Sequence, residues 1–277
     1  MKPTFLAVLA FPALALAGTG IGYAQATGYF KKDSRPTLYQ PLGLLDARDV
    51  TAWCSPTSDP LNDHLTFGFK SDVKIEELKI TTGNNFDEHT FAEFGRAKKL
   101  SLKGPHGGQT FTLQDQRGPQ SVTFNPPLEG ARFTLEILDQ YAPDDLEQPV
   151  CLTDVVFVSE GKPLNGNWMT TKLKYDKHVQ SVLGTWFAGY EGNPHHFLSF
   201  FYDGTFRYTF EPVDDKAGKP KSVEGSYEVT GSKLTFEIGG KKSAMRYNKD
   251  PGKRSGYTLT LDGDVPQDLQ QTWRSVP

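Results

Sequence analysis

Cysteine is nearly missing from this chain: its 277 residues contain two, Cys54 and Cys151. With no CxxC pair, a thioredoxin-like redox centre has nothing local to rest on, and the six histidines show no spacing that would serve a nucleophilic cysteine. Excess charge of either sign is missing too. Thirty Lys and Arg against 33 Asp and Glu leave a net charge of -3, which gives no electrostatic reason to expect nucleic acid or an anionic membrane as partner. Gly-x-Ser-x-Gly and His-Glu-x-x-His are absent. GGKKS at 239–243 lacks the four-residue spacing between glycines of a phosphate loop and has no helix pattern after it. Beyond the N-terminus no apolar run approaches the ~20 residues that span a bilayer, so no membrane insertion is expected after removal of a leader. Helical periodicity is scarce.

What is present begins with that leader. Lys2 supplies a positive start, Phe5 to Ala17 form a short apolar core, and Ala24-Gln25-Ala26 fits a small-x-small cleavage site, so residues 1–26 read as a secretory signal peptide. No cysteine lies near the cleavage point, which excludes lipid attachment there. An extracytoplasmic chain, secreted or periplasmic and of bacterial type, then has two cysteines in an oxidising compartment, and a Cys54–Cys151 disulfide is the one intrachain bridge open to it.

The rest is β in character, with 27 Gly, 19 Pro, 19 Phe and 11 Tyr. After an extended lead-in, strand patterns follow at HLTFGFK (64–70), IEELKITTG (75–83), KKLSLKG (98–104), QTFTLQD (109–115), QSVTFNPP (120–127), ARFTLEILDQY (131–141) and CLTDVVFVSEG (151–161). Their spacing and Pro/Gly turns predict an antiparallel β-sandwich over 27–161. Residues 162–182 read as a linker with a short helix. Eight further strand patterns between 184 and 276, joined by tight turns such as Asp203-Gly204 and Gly231-Ser232, predict a small antiparallel barrel over 183–277. The fold class expected is all-β, a sandwich followed by a barrel.

The ordered segments LLDARDVTAWC (44–54), LTFGF (65–69), FGRAKKLSL (94–102), LQDQRGPQSVTF (113–124) and ILDQYAPDDLEQPVCLTDVVF (137–157) carry a more specific message. Together they resemble the discoidin-like, galactose-binding-like sandwich known as the NADase-type glycan-binding domain, over roughly residues 36–160. Where that family has Asn-Gly-Tyr, this chain has TTGNNFD (81–87). The resemblance implies a carbohydrate partner, a glycan or cell-surface polysaccharide, and a non-catalytic protein. Gly184-Thr185-Trp186 resembles the Gly-x-Trp that opens a lipocalin-like barrel, and by that resemblance Arg274, after Trp273, would pack over Trp186 to close it.

The candidate ligand residues lie in the sandwich loops: Asp46, Arg48, Asp49, Trp53, Asn84, Asn85 and Arg96, with His89 and Gln116 beside them. Amides and guanidinium offer the paired donors and acceptors that vicinal hydroxyls need. Trp53 reads either as a sugar-stacking platform or as a core ring sealing the disulfide. Asp46, Asp49, Asp59 and Asp63 could supply oxygens to calcium, the one metal cofactor the pattern admits, or simply form turns. His195-His196 with Asp203 is the sole local metal or acid/base pattern, and neighbouring strand residues point to opposite faces. Two other functions stay open: a carrier of a small apolar ligand inside the barrel, and a hydrolase whose site is assembled from distant loops. No protein partner is indicated.

Overall fold

A computed structural model of the chain describes residues 20–32, 38–61, 63–143, 146–165, 176–189, 194–202, 204–212, 219–251, 257–263, 269 and 271–275. Its first part comprises strands β1 (Ile21–Ala26), β2 (Trp53–Cys54), β3 (His64–Thr82), β4 (Gly95–Gly104), β5 (Gly107–Thr112), β6 (Gln120–Tyr141), β7 (Val150–Ser159) and β8 (Lys162–Pro163), with helix α1 (Glu88–Glu93) and a 3-10 turn over Pro41–Leu45. These strands form one sheet folded over into a sandwich.

Two pairs of expected strands turn out to be continuous. The patterns at 64–70 and 75–83 fuse into β3, and those at 120–127 and 131–141 into β6. Register shifts between Gly68 and Val73, and again between Ile75 and Glu77, let the β3–β6 ladder bend without ending. The first half of β3 therefore pairs with β1, while its second half pairs with β7 in the other layer. Between the layers Phe67, Phe69, Phe133 and Phe157 meet edge-on or tilted, with centroids 4.9–6.4 Å apart.

The second part is the expected barrel. After α2 (Lys177–Val182) come β9 (Gly184–Ala188), β10 (His195–Phe200), β11 (Thr205–Glu211), β12 (Lys221–Thr230), β13 (Lys233–Ile238), β14 (Lys241–Pro251), β15 (Tyr257–Gly263) and β16 (Thr272–Ser275), and β16 closes on β9. Alternation turns Trp186, Leu198, Phe200, Phe206, Tyr227 and Phe236 inward, where all are buried. The GGKKS segment is the tight β13–β14 connection and the start of β14. No helix among the described residues is long and apolar enough to cross a membrane.

The N-terminal segment read as a leader takes part in the sandwich from Ile21 onward. Residues 21–26, assigned above to the leader, form β1, with Ile21, Tyr23 and Ala24 buried. The linker is likewise shorter than expected, because Lys162 and Pro163 pair with β7, and Asn165 bonds the backbone of Val155 and Phe157. Residues 1–19 and 166–175 lie outside the described set. The two parts also touch: Arg207 Nη1 donates to the Lys70 carbonyl at 2.7 Å, and the Tyr202 N–H to that of Gly22 at 2.8 Å.

Candidate functional site

The loop end of the sandwich is organised by the disulfide. Cys54 of β2 lies opposite Cys151 of β7 in register, and the two are bonded. β2 is only two residues long, so this covalent tie does much to fix it. Its other residue, Trp53, is fully buried and donates from Nε1 to the Gly28 carbonyl at 3.0 Å. With neither ring face open, Trp53 is a core residue and not a sugar platform.

The turn after β3 is pinned just as firmly. Asn85 is buried; its Nδ2 donates to the Thr82 carbonyl at 2.7 Å, while its Oδ1 accepts from the Gly118 N–H at 3.0 Å. Arg117 Nη2 donates to the Asn85 carbonyl, also at 3.0 Å, and the Asn85 N–H donates to Thr153 Oγ1. Asn84 is buried too, its Oδ1 accepting from the Phe86 N–H at 3.4 Å. Both amides thus satisfy backbone inside the loop. Asp87 then caps α1 in a reciprocal box with Thr90, and the bonds from Thr90 hold its carboxyl below the usual carboxylate range. His89 extends into solvent from α1.

Arg96, another predicted ligand contact, is committed elsewhere. Its guanidinium makes a two-pronged pair with Asp115 at 2.8 and 3.0 Å, sits 5.4 Å from the Phe91 ring centroid and leaves 11% of its side chain exposed. What the sequence reading missed is Phe86. Among the described residues it is the one aromatic ring among the exposed large apolar side chains, 59% open, and it stands between the pinned Asn85 and the capping Asp87. Phe86 lies in TTGNNFD, the stretch where the sequence departs from the resembled pattern.

The acidic candidates fall into two separate groups. Asp59 Oδ1 accepts from the Leu61 N–H in a local turn, and Asp63 accepts from Thr27. Asp46 is buried and accepts from Thr51 Oγ1 at 2.7 Å, whereas Arg48 and Asp49 are exposed. Asp46 and Asp49 act on a carboxylate not foreseen, Asp154 of β7. Burial, then repulsion from Asp46 and Asp49, pushes Asp154 up to about 7 against the pull of the Val155 and Ala47 N–H groups, and its Oδ1 has no hydrogen-bond partner. No group of three or more His, Cys, Asp or Glu among the described residues is arranged to hold a metal ion.

In the barrel, Arg274 does not cover Trp186. Trp273 takes the inward position, so strand alternation sends Arg274 outward, where it is exposed. The cation over Trp186 is Lys249, 5.7 Å from the ring, and burial lowers its pKa to about 8. The barrel interior is packed by rings: Phe206 and Phe236 lie 4.6 Å apart and Phe200 and Tyr227 5.0 Å. His195 and His196 do part to opposite faces. His196 Nδ1 bonds Tyr208 Oη at 2.8 Å, while His195 meets the Phe187 and Phe197 rings edge-on; Asp203 lies outside the described residues. A separate cleft of about 560 Å³ opens beside the β4–β5 connection, lined by His106, Gln109, Asn125, Pro126, Pro127 and Glu129. It sits at the far end of β4 from Arg96 and the disulfide.

No protein-family profile and no curated protein matches the chain. Solved structures similar to part of it include the CBM32 of AlyQ in complex with 4,5-unsaturated mannuronic acid, at 13% identity and TM-score 0.37, covering 50% of this chain and 95% of that one. Another is the family 32 CBM from C. perfringens NanJ in complex with galactose, at 15% identity and TM-score 0.35, covering 49% and 91%. The arabinofuranosyltransferase AftD from Mycobacteria is similar over 92% of this chain and 23% of its own length, at 12% identity and TM-score 0.43.

Proposed function

We propose that this is an extracytoplasmic, non-catalytic protein that binds carbohydrate, a glycan or cell-surface polysaccharide, at the loop end of its sandwich, with Phe86 as the stacking platform. The observation that carries the reading is the pairing of an exposed ring with a fixed backbone. An isolated Phe in a loose loop would bury itself. Here the bonds of Asn85 on one side and the Asp87 cap on the other hold Phe86 out, as a preorganised apolar face for the C–H side of a pyranose. Arg48, Asp49 and His89 supply exposed polar groups in the same set of loops, while the buried amides act as the frame.

The barrel-carrier reading is disfavoured by the rings that occupy the barrel axis. The hydrolase reading would rest on Asp154 beside Asp46, but the described cleft lies at the opposite end of the sandwich.

The test is a broad glycan array with the wild-type chain, Phe86→Ala and Gln109→Ala, each with calcium and with chelator. Saturable binding that drops tenfold or more in Phe86→Ala and survives in Gln109→Ala supports the site. Binding that survives in Phe86→Ala and vanishes in Gln109→Ala moves it to the cleft. Absence of binding by the wild-type chain removes the function.

A further inference from the structure

We infer that the cleft beside the β4–β5 connection is a second saccharide site, which takes a short neutral stretch of glycan and gives the chain two binding points at opposite ends of the sandwich. The inference rests on the carbohydrate part of the proposed function and is independent of Phe86.

The cleft exists because two strand edges face each other without pairing. β5 bonds only β4, at the rim of one layer, and the first half of β6, from Gln120 to Leu128, bonds only β3, at the rim of the other. Along most of their length side chains stitch these rims together. Gln120 exchanges two hydrogen bonds with the Gln114 backbone, and the Phe111 and Phe124 rings meet edge-on with centroids 6.1 Å apart. Gln109 Nε2 donates to the Pro126 carbonyl at 2.8 Å, the last stitch before the rims separate. Four residues further along each wall they are fixed again: Pro105 fills the space beside Gly130, where a Cβ would strike its ring. Between those two fixed points the walls enclose about 560 Å³, a size that suits a small ligand.

The walls also say what fits. Pro126 and Pro127 present apolar ring faces for the C–H side of a sugar. His106, Asn125 and Glu129 are exposed around them and, with Gln109, offer the mixed donors and acceptors that neighbouring hydroxyls need. No Lys or Arg is among the lining residues and Glu129 brings a carboxylate, so an acidic sugar, sulfate or phosphate finds no counter-charge there. A peptide strand is no better served. Pro126 and Pro127 have no N–H to offer a ladder, and the Pro126 carbonyl already accepts from Gln109. Gly107 has nothing within 4 Å of the place a Cβ would occupy, which leaves the mouth open for a ring to enter.

The experiment is to titrate the isotope-labelled full chain with neutral disaccharides of glucose, galactose, mannose and xylose, and with digalacturonate as the acidic comparison, following amide resonances by NMR. Saturable shifts at Gly107, Gly108 and the Asn125 side-chain amide are expected with a neutral disaccharide, in the wild type and equally in Phe86→Ala, where the loop-end ring is gone. His106→Ala combined with Glu129→Ala removes two exposed side chains from the cleft and should weaken those shifts by about tenfold in affinity. Cleft shifts that survive unchanged in that double variant would overturn the inference, as would larger cleft shifts with digalacturonate than with every neutral disaccharide. Absence of cleft shifts with all the neutral sugars would overturn it too, and the Asn85 and Asp87 resonances in the same titration show whether the loop-end site falls with it.

Discussion

Replacing Asp154 with Asn should stabilise the protein, and only at neutral to alkaline pH. Asp154 lies opposite Thr81 on β7, with one oxygen enclosed and unbonded and with Asp46 and Asp49 close enough to repel it. Its folded pKa of about 7 stands roughly three units above that of an unfolded aspartate. The native state therefore holds the proton more tightly. As pH rises through the interval between the two values the unfolded chain sheds its proton first, and wild-type stability falls until both states are ionised. Three units correspond to about 4 kcal/mol at most; because the side chain is partly exposed, about 2–3 kcal/mol is the expected size. Asn keeps the shape and an acceptor for the Ala47 and Val155 N–H groups but carries no charge. Urea denaturation of wild type and Asp154→Asn should give equal stabilities at about pH 4 and a gap of that size at about pH 8, opening across the interval. A gap that is the same at both pH values would refute the electrostatic account, and loss of stability confined to high pH would show that the ionised carboxylate has a partner or a role in function.

Three further outcomes follow from the same geometry. Cys54→Ala with Cys151→Ala opens a loop with a sequence separation of 97, worth about 4–5 kcal/mol in the chain-entropy model, so the urea midpoint of the sandwich transition should fall sharply and an unchanged midpoint would contradict it. Lys249→Met should raise stability near neutral pH. Burial holds the Lys249 amine at about 8, below its unfolded value, so wild-type stability rises as pH climbs from there toward about 10, and the variant should lack that rise in melts across the range. Arg96→Ala strips Asp115 of a two-pronged partner and uncovers Phe91, which should cost about 1–3 kcal/mol in chemical denaturation; no loss would mean that the pair is held only by its neighbours.

The architecture was legible wherever it depends on alternation and turns. The eight strand patterns after residue 183 are the eight strands of the barrel, because each is short, alternates cleanly and ends at a turn. The bends inside β3 and β6 were not legible: a polar, irregular stretch such as Lys70 to Lys74 looks like a loop, while register shifts carry the ladder through it. Strand β1 was not legible for a related reason. Alanine and glycine in IGYAQA satisfy a peptidase pattern and a closely packed edge strand equally well, and only the spaces at Gly68 and Gly184 that Tyr23 and Gln25 fill, more than 40 residues away in the chain, tell the two apart. The candidate site is the more instructive case. Residues were chosen for hydrogen-bonding capacity, yet Asn84, Asn85 and Arg96 spend that capacity on backbone and on Asp115, as buried polar groups must. Capacity says that a side chain needs partners and does not say whether those partners are protein or ligand. Phe86, open to solvent beside these buried amides, has no hydrogen-bonding capacity at all, and the bonds of Asn85 and Asp87 fix the backbone on either side of it.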